Sequence, residues 1–265
     1  MSARPALPPA APSPDLRDHL PAIEPERTIT DWGRSEFVEG LMDRTFYEFL
    51  YHYWFRCEVE GIEHVPATGG ALLVSNHGGA LPPDASMIAK AIQEEHPRPR
   101  KLHLTVEHFF KGYPFFSMLI AKVGGVPAHP ANVHRLLADE RQLVLVFPEG
   151  AKATEKLYKD RYKLRRFGRG GFVEAAMRAG VPIVPIALVG AEESMPTFAH
   201  VGLLGAAYLP AKFKIRFLEP VHTEDMGERA WEDKGLVQDV ADDIRARIQE
   251  ELIDMVGSRR SVWLG

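Results

Sequence analysis

The feature that most constrains this chain is a recurring local pattern. Short apolar runs stop abruptly in polar, Gly- or Pro-rich residues and alternate with segments of helical periodicity. The clearest runs are Ala71–Asp84 (ALLVSNHGGALPPD) and Leu143–Gly150 (LVLVFPEG). Each apolar part is too short for a buried helix but long enough for a buried strand. Strands alternating with helices predict a largely parallel sheet covered on both faces. Such sheets carry their chemistry at the carboxyl ends of the strands. Asn76, His77 and Glu149 are therefore expected at neighbouring strand ends. Gly78, Gly79 and Pro82-Pro83 force a tight turn, and a Pro is tolerated in the first turn of a following helix. Asp84 then falls in the first turn of a helix through Ala85–Gln93, near the positive end of its dipole. His77 and Asp84 can face each other across that turn, the pairing that makes a histidine a positioned general base.

The rest of the chain extends the pattern. Arg56–Gly61, Leu102–Val106, Gly124–Ala128, Val181–Val189 and Phe213–Phe217 read as further strands. Lys111–Lys122, Asn132–Asp139, Gly170–Ala179 and Leu236–Val256 read as helices. Gly180 is a helix stop signal. Pro182 and Pro185 predict that their strand enters at an edge or in an irregular stretch. The apolar helix with Phe115, Phe116 and Met118 is expected in the core first, with an acyl-chain wall or a lipid contact as the alternatives. Residues 1–27 form a proline-rich tail without a periodic apolar face, expected to be disordered or extended. Residues 28–55 form an amphipathic helical segment whose stripe includes Phe46, Phe49, Tyr53, Trp54 and Phe55. That stripe fits a helix packed on the domain, a helix at a membrane interface, or one doing both on different sides. Residues 56–265 form the main domain.

Charge and composition exclude several function classes. The net charge of −4 is not the basic balance of a nucleic-acid binder. The single cysteine, Cys57, rules out an internal disulfide framework. No HExxH or similar ligand spacing points to a metal, and His103, His108, His129 and His134 read as ordinary structural or surface histidines. Ser75 lacks the Gly-x-Ser-x-Gly elbow of a serine hydrolase. No apolar run reaches the length of a membrane span and no signal-peptide pattern is present, so the expected location is cytoplasmic and peripheral to the membrane. One local departure stands out: Ala151–Gly171 holds eight Lys or Arg residues against only Glu155 and Asp160. Because this run follows the Glu149-Gly150 strand end, it is expected to draw phosphates to the site.

Three blocks in order, Asn76-His77 with Asp84, Phe147-Pro148-Glu149-Gly150 and Val181-Pro182-Ile183-Val184-Pro185, resemble those of glycerolipid acyltransferases of the lysophosphatidate acyltransferase type. The resemblance spans roughly Arg56–Pro220. It implies an α/β fold with a single largely parallel or mixed sheet flanked by helices on both faces, preceded by an N-terminal amphipathic helix. It also implies transfer of a fatty acyl group from acyl-CoA or an acyl-carrier protein to a lysophospholipid hydroxyl, foremost that of 1-acyl-glycerol 3-phosphate. His77 would be the base and Asp84 its partner. Glu149, Gly150 and Lys152 would hold the acceptor. From the basic run itself, Arg165 and Arg166 are candidates for the phosphate of acceptor or donor, and the amides of Gly78 and Gly79 or those near Gly150 are the oxyanion candidates. No cofactor is implied, and the partners are the two substrates and a membrane surface reached through the N-terminal helix. The chain departs from the family pattern twice. Six residues separate His77 from Asp84 where four are usual, and Val123–Ala128 lacks the Arg that normally ends the middle block. The missing Arg leaves room for a glycolipid, ornithine lipid or diacylglycerol acceptor. A catalytically silent lipid-binding protein is the non-enzyme alternative.

Overall fold

A computed structural model describes residues 31–78, 83–106, 114–150, 153, 156–196 and 208–265. The expected tail lies outside the described residues, as do Gly79 and Lys152. Seven strands form one sheet in the order β1-β7-β6-β2-β5-β3-β4. They are β1 (Glu58–Glu60), β2 (Ala71–Ser75), β3 (Leu102–Val106), β4 (Gly125–Pro127), β5 (Leu143–Val146), β6 (Ile183–Val189) and β7 (Lys214–Phe217). Every neighbouring pair is parallel except β6 with β7. The helices are α1 (Glu36–Met42), α2 (Asp84–Glu95), α3 (Pro114–Lys122), α4 (Pro130–His134), α5 (Gly171–Ala179), α6 (Ala191–Ser194) and α7 (Lys234–Ser258).

The period-two alternation of a strand divides the core between the two faces of the sheet. Leu72, Val74, Val144, Ile183, Ala187 and Val189 pack against α5 and α7. Ala71, Leu73, Leu145, Val184, Ile186 and Leu188 pack against α2 and the N-terminal helix. With both faces covered, β2 is buried along its whole length. Each of its two leucines, wholly removed from water, contributes about 1.5–3 kcal/mol. The connections diverge between β2 and β5: the chain leaves β2 towards β3 on one side, and leaves β5 towards β6 on the other. The crevice beyond the carboxyl ends of such strands is where open α/β sheets bind ligands.

Two sequence expectations are corrected. β6 is a central strand, between β2 and β7, so the edge alternative fails, whereas the irregular one stands: beyond Pro185 the pairing resumes only at an isolated Ile183–Val221 bridge. The N–H that Pro185 lacks would face the β7 side, opposite Leu218, one residue past the end of β7. Leu218 still donates to the Pro185 carbonyl at 2.8 Å, so the loss is confined to one bond at the end of that ladder. The helix around Phe115 is not core either: Phe115 and Met118 are exposed, and no described side chain of α3 is fully buried.

The N-terminal stripe divides. α1 is capped by Ser35, whose Oγ accepts from Val38 N–H, and continues through wider turns over Asp43–Tyr47 and Phe49–Trp54. Leu50, Tyr51 and Phe55 enter the core, whereas Phe37, Leu41, Phe46, Phe49 and Tyr53 remain exposed. No helix among the described residues is long and apolar enough to cross a membrane.

Candidate active site

At the end of β2 a side chain replaces the main-chain ladder. The Asn76 amide donates from Nδ2 to the Leu188 carbonyl at 2.9 Å and accepts from Leu188 N–H at 2.8 Å. Asn76 thereby holds β2 to β6 by its side chain while the backbone turns away, and the next residue, His77, emerges at the crevice. His77 Nδ1 lies 2.7 Å from Asp84 Oδ2. The six intervening residues thus bring the pair together. Asp84 is the first residue of α2 and its side chain is only 1% exposed. Its Oδ1 accepts from Ala85 N–H at 2.7 Å, which fixes the carboxylate at the helix start.

With Asp84 as acceptor, Nδ1 carries the imidazole proton and Nε2 presents the lone pair. Nε2 has no hydrogen-bond partner among the described residues. The imidazole is 17% exposed and lies flat on Phe147, ring centroids 4.1 Å apart and planes 24° apart. The ring is therefore fixed on one face and at one nitrogen.

β5 ends beside β2, so the Phe147–Gly150 turn borders His77. Gly150 has φ of +63°, and its N–H donates to the Phe147 carbonyl at 2.9 Å. The N–H of Gly78 is directed at Asp84 Oδ2, at 3.4 Å. The amides of Gly78 and Gly150 are thus both engaged within the protein, and Gly79 lies outside the described residues.

Glu149 is buried. Its Oε2 accepts from Arg165 N–H at 2.8 Å and lies 3.5 Å from Lys156 Nζ, while Oε1 has no partner among the described residues. The basic run divides by burial. Lys156 is buried, whereas Arg165 and Arg166 are exposed. Arg166 donates to Gln238 on α7 at 3.2 Å. The Arg165 guanidinium has no partner among the described residues, although its main chain rests on Glu149. Lys152 falls outside the described residues.

The residues that hold this segment were not singled out in the sequence. Glu192 Oε1 accepts from Lys156 Nζ and from Tyr162 N–H, each at 3.1 Å. Burial pushes the Glu192 carboxyl above its ordinary range, opposed by Lys156 and the Tyr162 N–H and reinforced by the charge of Glu149. Glu193 takes the Tyr162 hydroxyl and the Arg259 guanidinium. Tyr162 also accepts from Gly190 N–H at 2.8 Å, and its carbonyl accepts from Gln249 at 2.9 Å. Tyr162 has φ of +60°, a left-handed conformation that a bulky residue keeps only when its surroundings enforce it. One sequence signal was available: two acids, Glu192 and Glu193, follow a seven-residue apolar strand after Gly190, where a buried basic residue needs partners.

Elsewhere, His103 is buried on β3, and burial lowers its imidazole to about 4, so it stays neutral at physiological pH. Burial pushes the Cys57 thiol up, which disfavours the reactive thiolate.

This arrangement has relatives. A solved structure, the 1-acyl-sn-glycerophosphate (LPA) acyltransferase PlsC from Thermotoga maritima, superposes with a TM-score of 0.58 over 85% of this chain and 80% of its own. At 17% identity that likeness shows the shared fold. An uncharacterized protein of Mycobacterium leprae is 36% identical over an alignment covering 96% of this chain and 77% of the relative. A Gallus gallus protein described as a DGAT1/2-independent enzyme synthesizing storage lipids is 26% identical, over 72% of this chain and 58% of its own length. The family model described as Acyltransferase matches residues 56–189, from the approach to β1 through the end of β6 and including both strand-end turns. The chain belongs to the acyltransferase family.

Proposed function

We propose that this protein transfers a fatty acyl group from a thioester donor, acyl-CoA or acyl-carrier protein, to the free hydroxyl of a lysophospholipid, foremost 1-acyl-glycerol 3-phosphate. The observation that carries the reading is the His77–Asp84 pair at the end of β2, which engages Nδ1 and leaves Nε2 without a partner among the described residues. As the acceptor hydroxyl attacks, its proton moves to Nε2 and its oxygen forms the new bond to the thioester carbonyl carbon. Asp84 stabilises the imidazolium, as the carboxylate of a catalytic triad does. Collapse of the tetrahedral intermediate breaks the C–S bond, and the thiol leaves with the proton from Nε2. The thioester is already activated, so no acyl-enzyme is required.

The acceptor phosphate is assigned to Arg165, whose exposed guanidinium projects from a main chain seated on Glu149. Arg suits this task because its planar fork forms parallel bonds to phosphate oxygens. Arg166 faces Gln238 and is the weaker candidate. The exposed Phe37, Leu41, Phe46, Phe49 and Tyr53 would rest on the membrane that supplies the acceptor, with aromatic rings at the interfacial level.

A second reading, acylation of an uncharged acceptor such as diacylglycerol, is favoured by one observation: β4 and the residues after it, Gly125–Ala128, carry no Arg. A screen of lyso-lipid and diacylglycerol acceptors with acyl-CoA, read by mass spectrometry, decides between them. Acylated lysophosphatidate as the main product supports the first reading and triacylglycerol the second. No acylated product from any acceptor would favour the silent lipid-binding alternative.

A further inference from the structure

Glu192 does not touch the reacting groups, yet it contacts both halves of the site. Its stem lies against the turn that carries His77: a Cβ added at Gly78 would come within 2.2 Å of Glu192 Cγ and 3.3 Å of Oε1. Its carboxylate holds the basic segment through Lys156 Nζ and Tyr162 N–H. Lys156 in turn lies 3.5 Å from Glu149, on which the Arg165 main chain rests. Two carboxylates and one ammonium are buried here together. Such a triad is a poor way to gain stability, because desolvation offsets most of the Coulomb attraction and apolar residues of equal volume do as well or better. A fixed geometry is what the arrangement provides in return.

We propose that Glu192 is a positioning residue that sets the distance between His77 and the segment carrying Arg165, so that base and phosphate anchor reach one acceptor together. The inference rests on the acyl-transfer reading above. A side chain at residue 78 would displace Glu192, which explains the glycine in the His77-Gly78 pair without reference to backbone freedom.

The test uses the full chain carrying Glu192→Ala, Glu192→Gln, Gly78→Ala and the double variant Gly78→Ala with Glu192→Ala. Displacement of a reacting group by an ångström costs up to about a hundredfold, so Glu192→Ala should lower kcat/KM for the phosphate-bearing acceptor by about 10- to 100-fold. KM should rise more than kcat falls. Glu192→Gln keeps the volume and an accepting oxygen and should stay close to wild type. Gly78→Ala should be impaired alone, but the double variant should be no worse than Glu192→Ala, because the added methyl then has room. A second readout needs no substrate: the low-field Nδ1 proton of His77 in the NMR spectrum should shift in Glu192→Ala and not in Glu192→Gln. If Glu192→Ala does not fold, Glu192→Asp, which withdraws the carboxylate by one methylene, should show the same changes in smaller measure. Additive losses in the double variant, or an unchanged Nδ1 resonance in Glu192→Ala, would overturn the proposal. A wild-type protein that acylates no acceptor would instead overturn the acyl-transfer reading, and the resonance would still decide whether Glu192 positions His77.

Discussion

The His77 turn and the basic segment 156–166 meet beside one crevice but are assembled from different kinds of contact. At the turn, the partners lie seven positions apart, and the carboxylate that orients the ring is the first residue of a helix. The segment instead depends on remote groups: Glu192 and Glu193 after β6, and Gln249 as far as 87 positions from the carbonyl it holds. The pairing of His77 with Asp84 is made by residues close in the chain, even though remote groups brace the turn. A segment clamped by buried carboxylates from other elements is specified by the fold, and its run of positive charge conceals that Lys156 is a buried strut while Arg165 is an exposed hand.

Substitutions at the two places should therefore behave differently. The largest effect is expected at the turn. His77→Ala should lower turnover by about 10²–10⁴-fold or more in a variant that still folds, its melt lowered modestly because buried Asp84 loses its partner. Near-native turnover in the folded variant would remove His77 from its role. Asp84→Asn removes an ionic hydrogen bond worth about 1.5–3 kcal/mol, so the rate should fall about 10- to 150-fold with little change in acceptor KM. A change confined to KM would mean that Asp84 binds the acceptor instead of orienting His77.

On the clamped segment, stability should respond before rate. Tyr162→Phe strips the hydroxyl from between Gly190 N–H and Glu193, leaving buried groups unpaired. That costs about 1–3 kcal/mol, a fall in Tm of about 2–12 °C for a chain of this size. An unchanged melt would show that the clamp is not what holds the segment. Arg165→Ala should raise KM for a phosphate-bearing acceptor by up to about fivefold, the modest scale of an exposed charge contact, and Arg166→Ala by less. Equal effects would dissolve the distinction between the two arginines. The smallest effect on chemistry is expected on the helix surface. Phe49→Ser with Tyr53→Ser should weaken binding to anionic vesicles and leave turnover of short-chain soluble acceptors unchanged. Phe55 is unsuited to that test, because it is fully buried and stacked on Phe213 at 4.2 Å.

The same contrast explains what the sequence revealed. All seven strands follow from short apolar runs or, at β1 and β7, from period-two alternation, and the pairing of His77 with Asp84 follows from a turn and a helix start lying side by side in the chain. Other features depended on what lay across the fold. Pro185 suggested an edge or an irregular stretch; its missing N–H falls at a break in the pairing, between the β6–β7 ladder and the Ile183–Val221 bridge, and no local pattern discloses that the strand is central. Periodicity marked Phe37 through Phe55 as one stripe but not which members would face the sheet, because a helix with apolar residues around much of its circumference offers more than one face to bury. Glu149 was recognisable as a strand-end acid, whereas its duty of seating the Arg165 main chain depended on a segment returning from 16 residues away.

The central claim, direct transfer with His77 as base, is tested most directly by following thiol release from acyl-CoA with the intact mass of the protein measured alongside. Wild-type protein should release thiol only when an acceptor is present, one equivalent for each acylated product, with the protein mass unchanged and His77→Ala nearly inert. Thiol release without acceptor, accompanied by a protein heavier by one acyl group, would contradict direct transfer. Full activity in His77→Ala would contradict the assignment of the base.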